Sequence, residues 1–278
     1  MMAGLRTQTR RLIAGFLVAV LLSASAVAVE LKPETVRAFD RYIRLAEARI
    51  ASEVGSDKTF LWMDTLPTDR RSAVYQQLRQ GQVVIERMKT LDGGKEIEVP
   101  SGLIHHWLGV VFIPGVSLEQ TMALVQDYDQ HYRYYKPDVI ASKLRARNGN
   151  DFKIYLRFYK KKVMTVVMNT EHDVHYFPLS PTRVHSRSYT TRIAEIANFG
   201  EPDEHEKPVD DGGGFLWRLN SYWRFEERDG GVYVQCEAVS LTRDIPALVS
   251  WLVKPFVTSV PRESLTNTLS NTRAALIH

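Results

Sequence analysis

Apolar positions change their spacing several times along the chain. Val36, Phe39, Ile43, Ala46 and Ile50 recur at three- and four-residue intervals with arginines and glutamates between them. That period predicts a helix over 33–52, with Pro33 suited to its first turn. Its apolar face is narrow, so the helix packs against something larger. Residues 56–66 read as a loop carrying Phe60, Leu61 and Trp62, and Thr68 opens a second short helix that ends near Gly81. Val83 to Met88 reads as a strand and Asp92-Gly93-Gly94 as a turn.

From Gly102 the pattern shifts. Leu103 to Ile113 is a long apolar strand stopped by Pro114-Gly115. Ser117 starts a helix, with Gln120 placed for a capping box, and the helix must end before Pro137. Strands follow. Val139 to Arg147 turns at Asn148-Gly149-Asn150 into a segment where Phe152, Ile154, Leu156 and Phe158 alternate with Lys153, Tyr155, Arg157 and Tyr159. Such alternation gives a strand two different faces. Val163 to Thr170, extending toward Val174, is a further strand, and Arg183 to Ile196 another. Trp217–Glu227 and Val232–Arg243 form a hairpin around Asp229-Gly230-Gly231. Loops this short permit only antiparallel pairing. The C-terminus is helical from Pro246, with Leu248, Trp251, Leu252, Leu265, Leu269 and Leu276 on it and Pro255 and Pro261 expected to kink or divide it. Residues 198–214, rich in Asp, Glu, Pro and Gly, read as a mobile solvated loop.

The first residues carry a different message. Arg6, Arg10 and Arg11 precede an apolar run from Leu12 to Leu22, followed by Ser23-Ala24-Ser25-Ala26-Val27-Ala28. This is the signal-peptide pattern, and the run is short for a membrane span, which takes about 20 residues. Cleavage is expected after Ala28, giving a periplasmic or secreted protein. Loss of the three arginines lowers the formal charge from +4 to +1. The mature chain therefore shows no charge excess that calls for nucleic acid. Cys236 is the single cysteine, so no internal disulfide can form. Between two strand residues it reads as a small buried apolar side chain.

The order strand, helix, six strands, long helix resembles the START-like, or helix-grip, superfamily, nearest to its coenzyme Q-binding and polyketide cyclase-type members. The resemblance covers 102–278. It rests on that order, on Asp127-Tyr128 closing a helix before Pro137, and on the last strand, Glu237 to Arg243, running through Ile245-Pro246 into the final helix. It implies an α+β fold: a curved seven-stranded antiparallel sheet wrapped around the C-terminal helix, with a cavity between them. Residues 1–28 then form the signal, 29–101 an N-terminal helical extension with a first strand, and 102–278 the START-like domain.

What the resemblance implies for function is a hydrophobic ligand, a lipid, isoprenoid or relative, held in that cavity. A cyclase- or dehydratase-type enzyme and a protein-interaction module are the alternatives. The residues assigned to the lining are His105, Trp107, Tyr128, Tyr132, Arg157, Arg187, Tyr189, Trp223, Glu237 and Trp251. His105 and His106 are adjacent on a strand and must face opposite sides. Arg187 and Glu237 are the expected buried ion pair. Tyr128, Tyr132, Tyr134 and Tyr135 form either a gate or ordinary packing. Glu171, His172, Asp173 and His175 read as a solvated hairpin edge rather than a zinc site, which needs three or four converging ligands. Lys160-Lys161-Lys162 reads as a solvated tip, with transient contact to an anionic membrane as the alternative. No catalytic residue, cofactor or metal is expected. A protein partner at the N-terminal extension is a further expectation.

Overall fold

The computed structural model describes residues 30–277 apart from 163, 211, 245 and 246, and the side chains of 247–258 also lie outside the description. The expected signal segment, 1–28, falls outside the described residues.

Two helices open the described chain, α1 (Pro33–Val54) and α2 (Thr68–Arg79), joined through a 3-10 turn at Trp62–Thr65. A short strand β1 (Val84–Arg87) and a small hairpin, β2 (Leu91–Asp92) with β3 (Lys95–Glu96), lead to β4 (Gly102–Pro114). Helix α3 (Leu118–Gln126) begins with the expected capping box: Ser117 Oγ accepts from the Gln120 N–H, and the Gln120 side chain accepts from the Ser117 N–H. A four-residue helix α4 (His131–Tyr134) follows. Then come β5 (Val139–Asn148), β6 (Asp151–Lys161), β7 (Thr165–Ser180), β8 (Arg183–Ala197), the two-residue β9 (His205–Glu206), β10 (Arg218–Arg228) and β11 (Gly231–Arg243). Helix α5 (Ala247–Leu276) ends the fold.

The main sheet runs β1-β4-β11-β10-β8-β7-β6-β5, antiparallel throughout, with β9 beside β8. Seven of its strands are long, as expected, and β1 and β9 are short additions. The expected break in the last helix does not occur: α5 continues through Pro255 and Pro261. Each proline forfeits its own N–H bond and crowds the carbonyl four residues back, and Leu265 and Leu269, buried against the sheet, hold the C-terminal half in place.

Both faces of the sheet are covered. On the inner face, α3 and α5 close over Val111, Ile113, Phe152, Ile154, Val174, Tyr176, Phe225, Val234 and Cys236. Cys236 is buried there as a small apolar residue. Gly109 sets the approach: a Cβ there would lie 2.5 Å from Leu269 Cδ1 and 2.7 Å from Ile85 Cδ1. On the outer face, Phe39, Tyr42, Ile43 and Ile50 of α1 pack on Tyr222, Val239 and Leu241. Alongside, Phe60, Trp62, Met63, Val74 and Leu78 pack on Leu108, Val110, Phe112 and Tyr233. The N-terminal extension is thus a second layer on the back of the sheet, and its narrow apolar face is spent on its own chain.

Segment 198–214, expected to be mobile, is tied down. Glu195 accepts N–H bonds from Gly213 at 2.6 Å and Phe215 at 3.3 Å, and Glu206 bonds Arg192 and Asn169. Arg157 holds Glu204, and Asp210 meets Arg218 at 3.0 Å. Composition marked the segment as exposed, which most of it is, but the cations that receive its carboxylates come from distant strands.

Candidate ligand-binding site

Strand parity decides which candidates reach the inner face. His105, Trp107 and Trp223 do, since His105 pairs with Ser240, Trp107 with Ala238 and Trp223 with Cys236. Tyr128 belongs to the same core, where its hydroxyl meets that of Tyr176 at 2.7 Å. Tyr132 lies on α4, half-buried, its N–H bonded to Ser142 Oγ and its hydroxyl accepting from Arg133. Four other candidates face outward. Arg157 holds Glu204, Tyr189 donates to Glu47, and exposed Arg187 stands over the rings of Phe177 and Tyr189. Glu237 is fully buried beneath α1. The Trp251 side chain lies outside the described residues.

The expected Arg187–Glu237 pair does not form. Tyr222 is the cross-strand partner of both residues, so they sit two strands apart on the same face. Glu237 takes its partners from elsewhere: Arg49 of α1, and His106, whose Nε2 lies 2.6 Å from Oε1. On the other side of the ring, Nδ1 and the Tyr42 hydroxyl share a hydrogen bond at 2.9 Å, and that hydroxyl accepts the Thr90 N–H. Burial pushes the Glu237 carboxyl up, but the hydrogen bond from His106 and the charges of Arg49 and Arg224 outweigh it, and the group sits below the ordinary carboxylate range. Arg224, buried as well, bonds Glu53 and the Phe60 carbonyl. This network joins extension to sheet.

On the inner face, the centre of the sheet is built from small side chains. Ser188 of β8, Ser221 of β10 and Ala238 of β11 stand in direct cross-strand register, with Ser240 next along β11. Trp107, Leu219 and Trp223 border this furrow. Ser221, Ala238, Trp107, Leu219 and Trp223 are only half-buried although they lie on central strands facing α5. Serine and alanine reach little way from the sheet, so the space above them is left to α5, whose side chains at 247–258 lie outside the described residues. Spacing alone did not reveal the furrow. Its signal was the run of Ser and Ala at alternate positions of three separate strands, meaningful only once their pairing is known.

The polar groups around the furrow are neutral. His105 Nε2 meets Thr242 Oγ1 at 3.0 Å, and that hydroxyl donates to the Arg243 carbonyl, so the imidazole is the donor. His172 relates in the same way to Thr170, which donates to the Leu156 carbonyl. Burial pulls both imidazoles down to about 4, with the Arg87 charge adding to the effect at His105. His172 therefore leaves the Glu171–His175 segment for the interior, while Asp173 bonds Lys153 and His175 bonds Asp151. Among the described residues no cluster suited to a metal ion occurs.

No family model and no curated protein matches this sequence. Solved structures of similar build include a STAR-related lipid transfer protein from Xanthomonas axonopodis, with 17% identity and a TM-score of 0.44 over 65% of this chain and 96% of that one. Another is the Zhui aromatase/cyclase from Streptomyces sp. R1128, with 10% identity and a TM-score of 0.40 over 63% and 94%. A START superfamily protein from Mycobacterium smegmatis gives 12% identity and a TM-score of 0.39 over 63% and 96%. Likeness of this degree assigns no ligand and no activity. Seven long antiparallel strands with the last helix laid across their inner face give this chain a helix-grip fold.

Proposed function

We propose that the protein binds a hydrophobic small molecule between the inner face of the sheet and α5, as a carrier or store and without chemistry. The observation that supports this reading is the furrow, where small residues of the central strands face a helix and Ser221 and Ala238 are only half-buried. A concave, mostly apolar space with a few polar groups is the usual form of a small-molecule site. Removing about 200 Å² of apolar ligand surface from water contributes about 5 kcal/mol gross at 25 cal/mol per Å². The loss of ligand freedom offsets part of it.

A cyclase- or dehydratase-type activity would need two titratable groups converging under α5. The described inner face offers His105 and His172, each bonded to a threonine and not to an acid. The acid–imidazole pair, His106 with Glu237, lies on the opposite face. This favours binding over catalysis. Export completes the reading: the basic start, short apolar run and small-residue site of the first 28 residues direct the chain out of the cytoplasm. N-terminal sequencing of the exported protein should begin near Val29, and recovery of intact Met1 in the membrane fraction would mean an anchor instead. The lysines at the β6–β7 tip could serve passing contact with an anionic membrane, although Lys160 is engaged by Asp138 and Lys162 by Glu263.

The binding test is a thermal-shift panel of lipids, isoprenoids and aromatic polyketides on the mature protein and on Ser221→Trp. At least one compound should raise the melting temperature of the parent by several degrees. The variant should keep its fold, seen by circular dichroism, and lose that gain. An equal gain in Ser221→Trp would place binding elsewhere, and no gain in either would sink the carrier reading.

A further inference from the structure

In the seam between the extension and the outer face of the sheet, three buried side chains each keep one polar atom without a partner. Arg224, Gln235 and Glu237 are all 0% exposed. Arg224 and Gln235 are direct cross-strand partners, and Glu237 follows Gln235 two residues along β11, so all three share the outer face. Direct partners stand about 4.5–5.5 Å apart at Cβ, and diagonal ones about 7–8 Å at most. Arg224 spends one terminal nitrogen on the Phe60 carbonyl at 2.8 Å and the other on Glu53 at 2.7 Å, and its Nε–H is unused. Gln235 Oε1 accepts the Trp62 N–H at 2.7 Å, which fixes the orientation of the amide and leaves Nε2 as a donor without a partner. Glu237 Oε1 receives both Arg49 and His106, while Oε2 receives no hydrogen bond. A buried polar atom left unpaired is costly, and native interiors hold few of them. Here two donors and one acceptor fall together at neighbouring register positions.

We infer that this seam is a binding site for an ordered water molecule, which accepts from Arg224 Nε and Gln235 Nε2, donates to Glu237 Oε2, and so forms part of the joint between extension and sheet. Water accepts two hydrogen bonds and donates two, and about three partners are usual for a buried one. A cation would meet two N–H donors and an anion would meet a carboxylate, so neither suits the set. The 60–62 segment and α1 bond the three side chains from the solvent side, and Phe60, Leu61 and Trp62 are themselves buried. The water therefore exchanges with solvent only when the extension lifts, on the microsecond-to-second scale of local opening. The seam lies on the opposite face from the furrow, so the water and the hydrophobic ligand stand or fall separately.

Crystals of the full mature protein that diffract well enough to show ordered solvent provide the test. A density peak should lie about 2.7–3.2 Å from Arg224 Nε, Gln235 Nε2 and Glu237 Oε2. Magnetic relaxation dispersion of the water signal, which counts long-lived internal waters, should find one fewer in Gln235→Met than in the parent, because the substitution brings an apolar side chain into the site. Circular dichroism confirms the fold of the variant. Three atoms bonded directly to one another or to other side chains, with no peak between them, overturn the water site. An equal count of long-lived waters in a folded Gln235→Met overturns it as well. Should the variant fail to fold, the crystal structure of the parent decides alone.

Discussion

Lowering the pH from about 7.5 to about 5 should remove most of the protein's stability. Apart from His106, which bonds Glu237, four imidazoles are pulled low by burial: His105 and His172 near the furrow, His131 beneath α3, where Nε2 meets the Val125 carbonyl at 3.1 Å, and the partly buried His185, which meets the Trp223 carbonyl. Burial pulls each down to about 4; at His131 and His185 the bonds to the Val125 and Trp223 carbonyls oppose the shift without cancelling it. In the denatured chain a histidine titrates near 6.5. The folded value is thus the lower one, and between pH 6.5 and 4 the denatured state binds more protons. Stability is complete above about 6.5 and declines as the pH falls through that window. At pH 5 the linkage amounts to about 2 kcal/mol for each histidine. Four together reach about 8 kcal/mol, against the roughly 5–15 kcal/mol that holds a typical domain. Urea midpoints measured from about pH 7.5 to about 5 should fall steeply, and His172→Gln should flatten the slope by about a quarter. A midpoint that stays level would show that the imidazoles are hydrated or charged in the native state.

Replacing Glu237 by leucine should cost about 3–5 kcal/mol, the range for breaking a buried ion pair from one side. The substitution leaves Arg49 and the fully buried Arg224 to share Glu53 as their one carboxylate partner and removes the partner of His106 Nε2. Glu237→Gln keeps the shape and one acceptor, so its loss should be smaller. Because Arg49 and Tyr42 belong to α1, the damage should also spread through the extension: amide exchange along 33–54 should quicken in Glu237→Leu before it does in β5 or β6. Chemical denaturation of the two variants, followed by both tryptophan fluorescence and circular dichroism, gives the comparison. A loss below about 1 kcal/mol in Glu237→Leu would mean that the network is solvated and the extension held by apolar contacts alone.

The fold was largely legible because its strands announce themselves by alternation and its turns by glycine and asparagine. Register was harder to read, and register decides the site. In β6 the alternation of Phe152, Ile154 and Leu156 with Lys153, Tyr155 and Arg157 names the inner face directly, and it already excludes Arg157 from the hollow. In β11, Val232 to Val239 is apolar almost throughout, so parity could not say which way Glu237 points. That continuity was itself a signal. A strand buried on both sides reads as an unbroken apolar run, and β4 and β11 are the strands that α1 and α2 cover from behind. The extension's place on the outer face could have been inferred from it, and with it the burial of Glu237 against a cation of α1 in place of Arg187. The serine furrow was beyond reach, because it exists only across three strands whose mutual register local sequence does not encode.

The account depends on space beneath α5. A high-resolution crystal structure of the mature protein measures it directly, as the volume enclosed by Ser188, Ser221, Ala238 and the helix. The prediction is a continuous hollow of at least about 300 Å³, the lower end for small-molecule sites, holding ordered water or a bound compound against the serine hydroxyls. A furrow packed solid by side chains of α5, with the serines bonded to the helix, would contradict it.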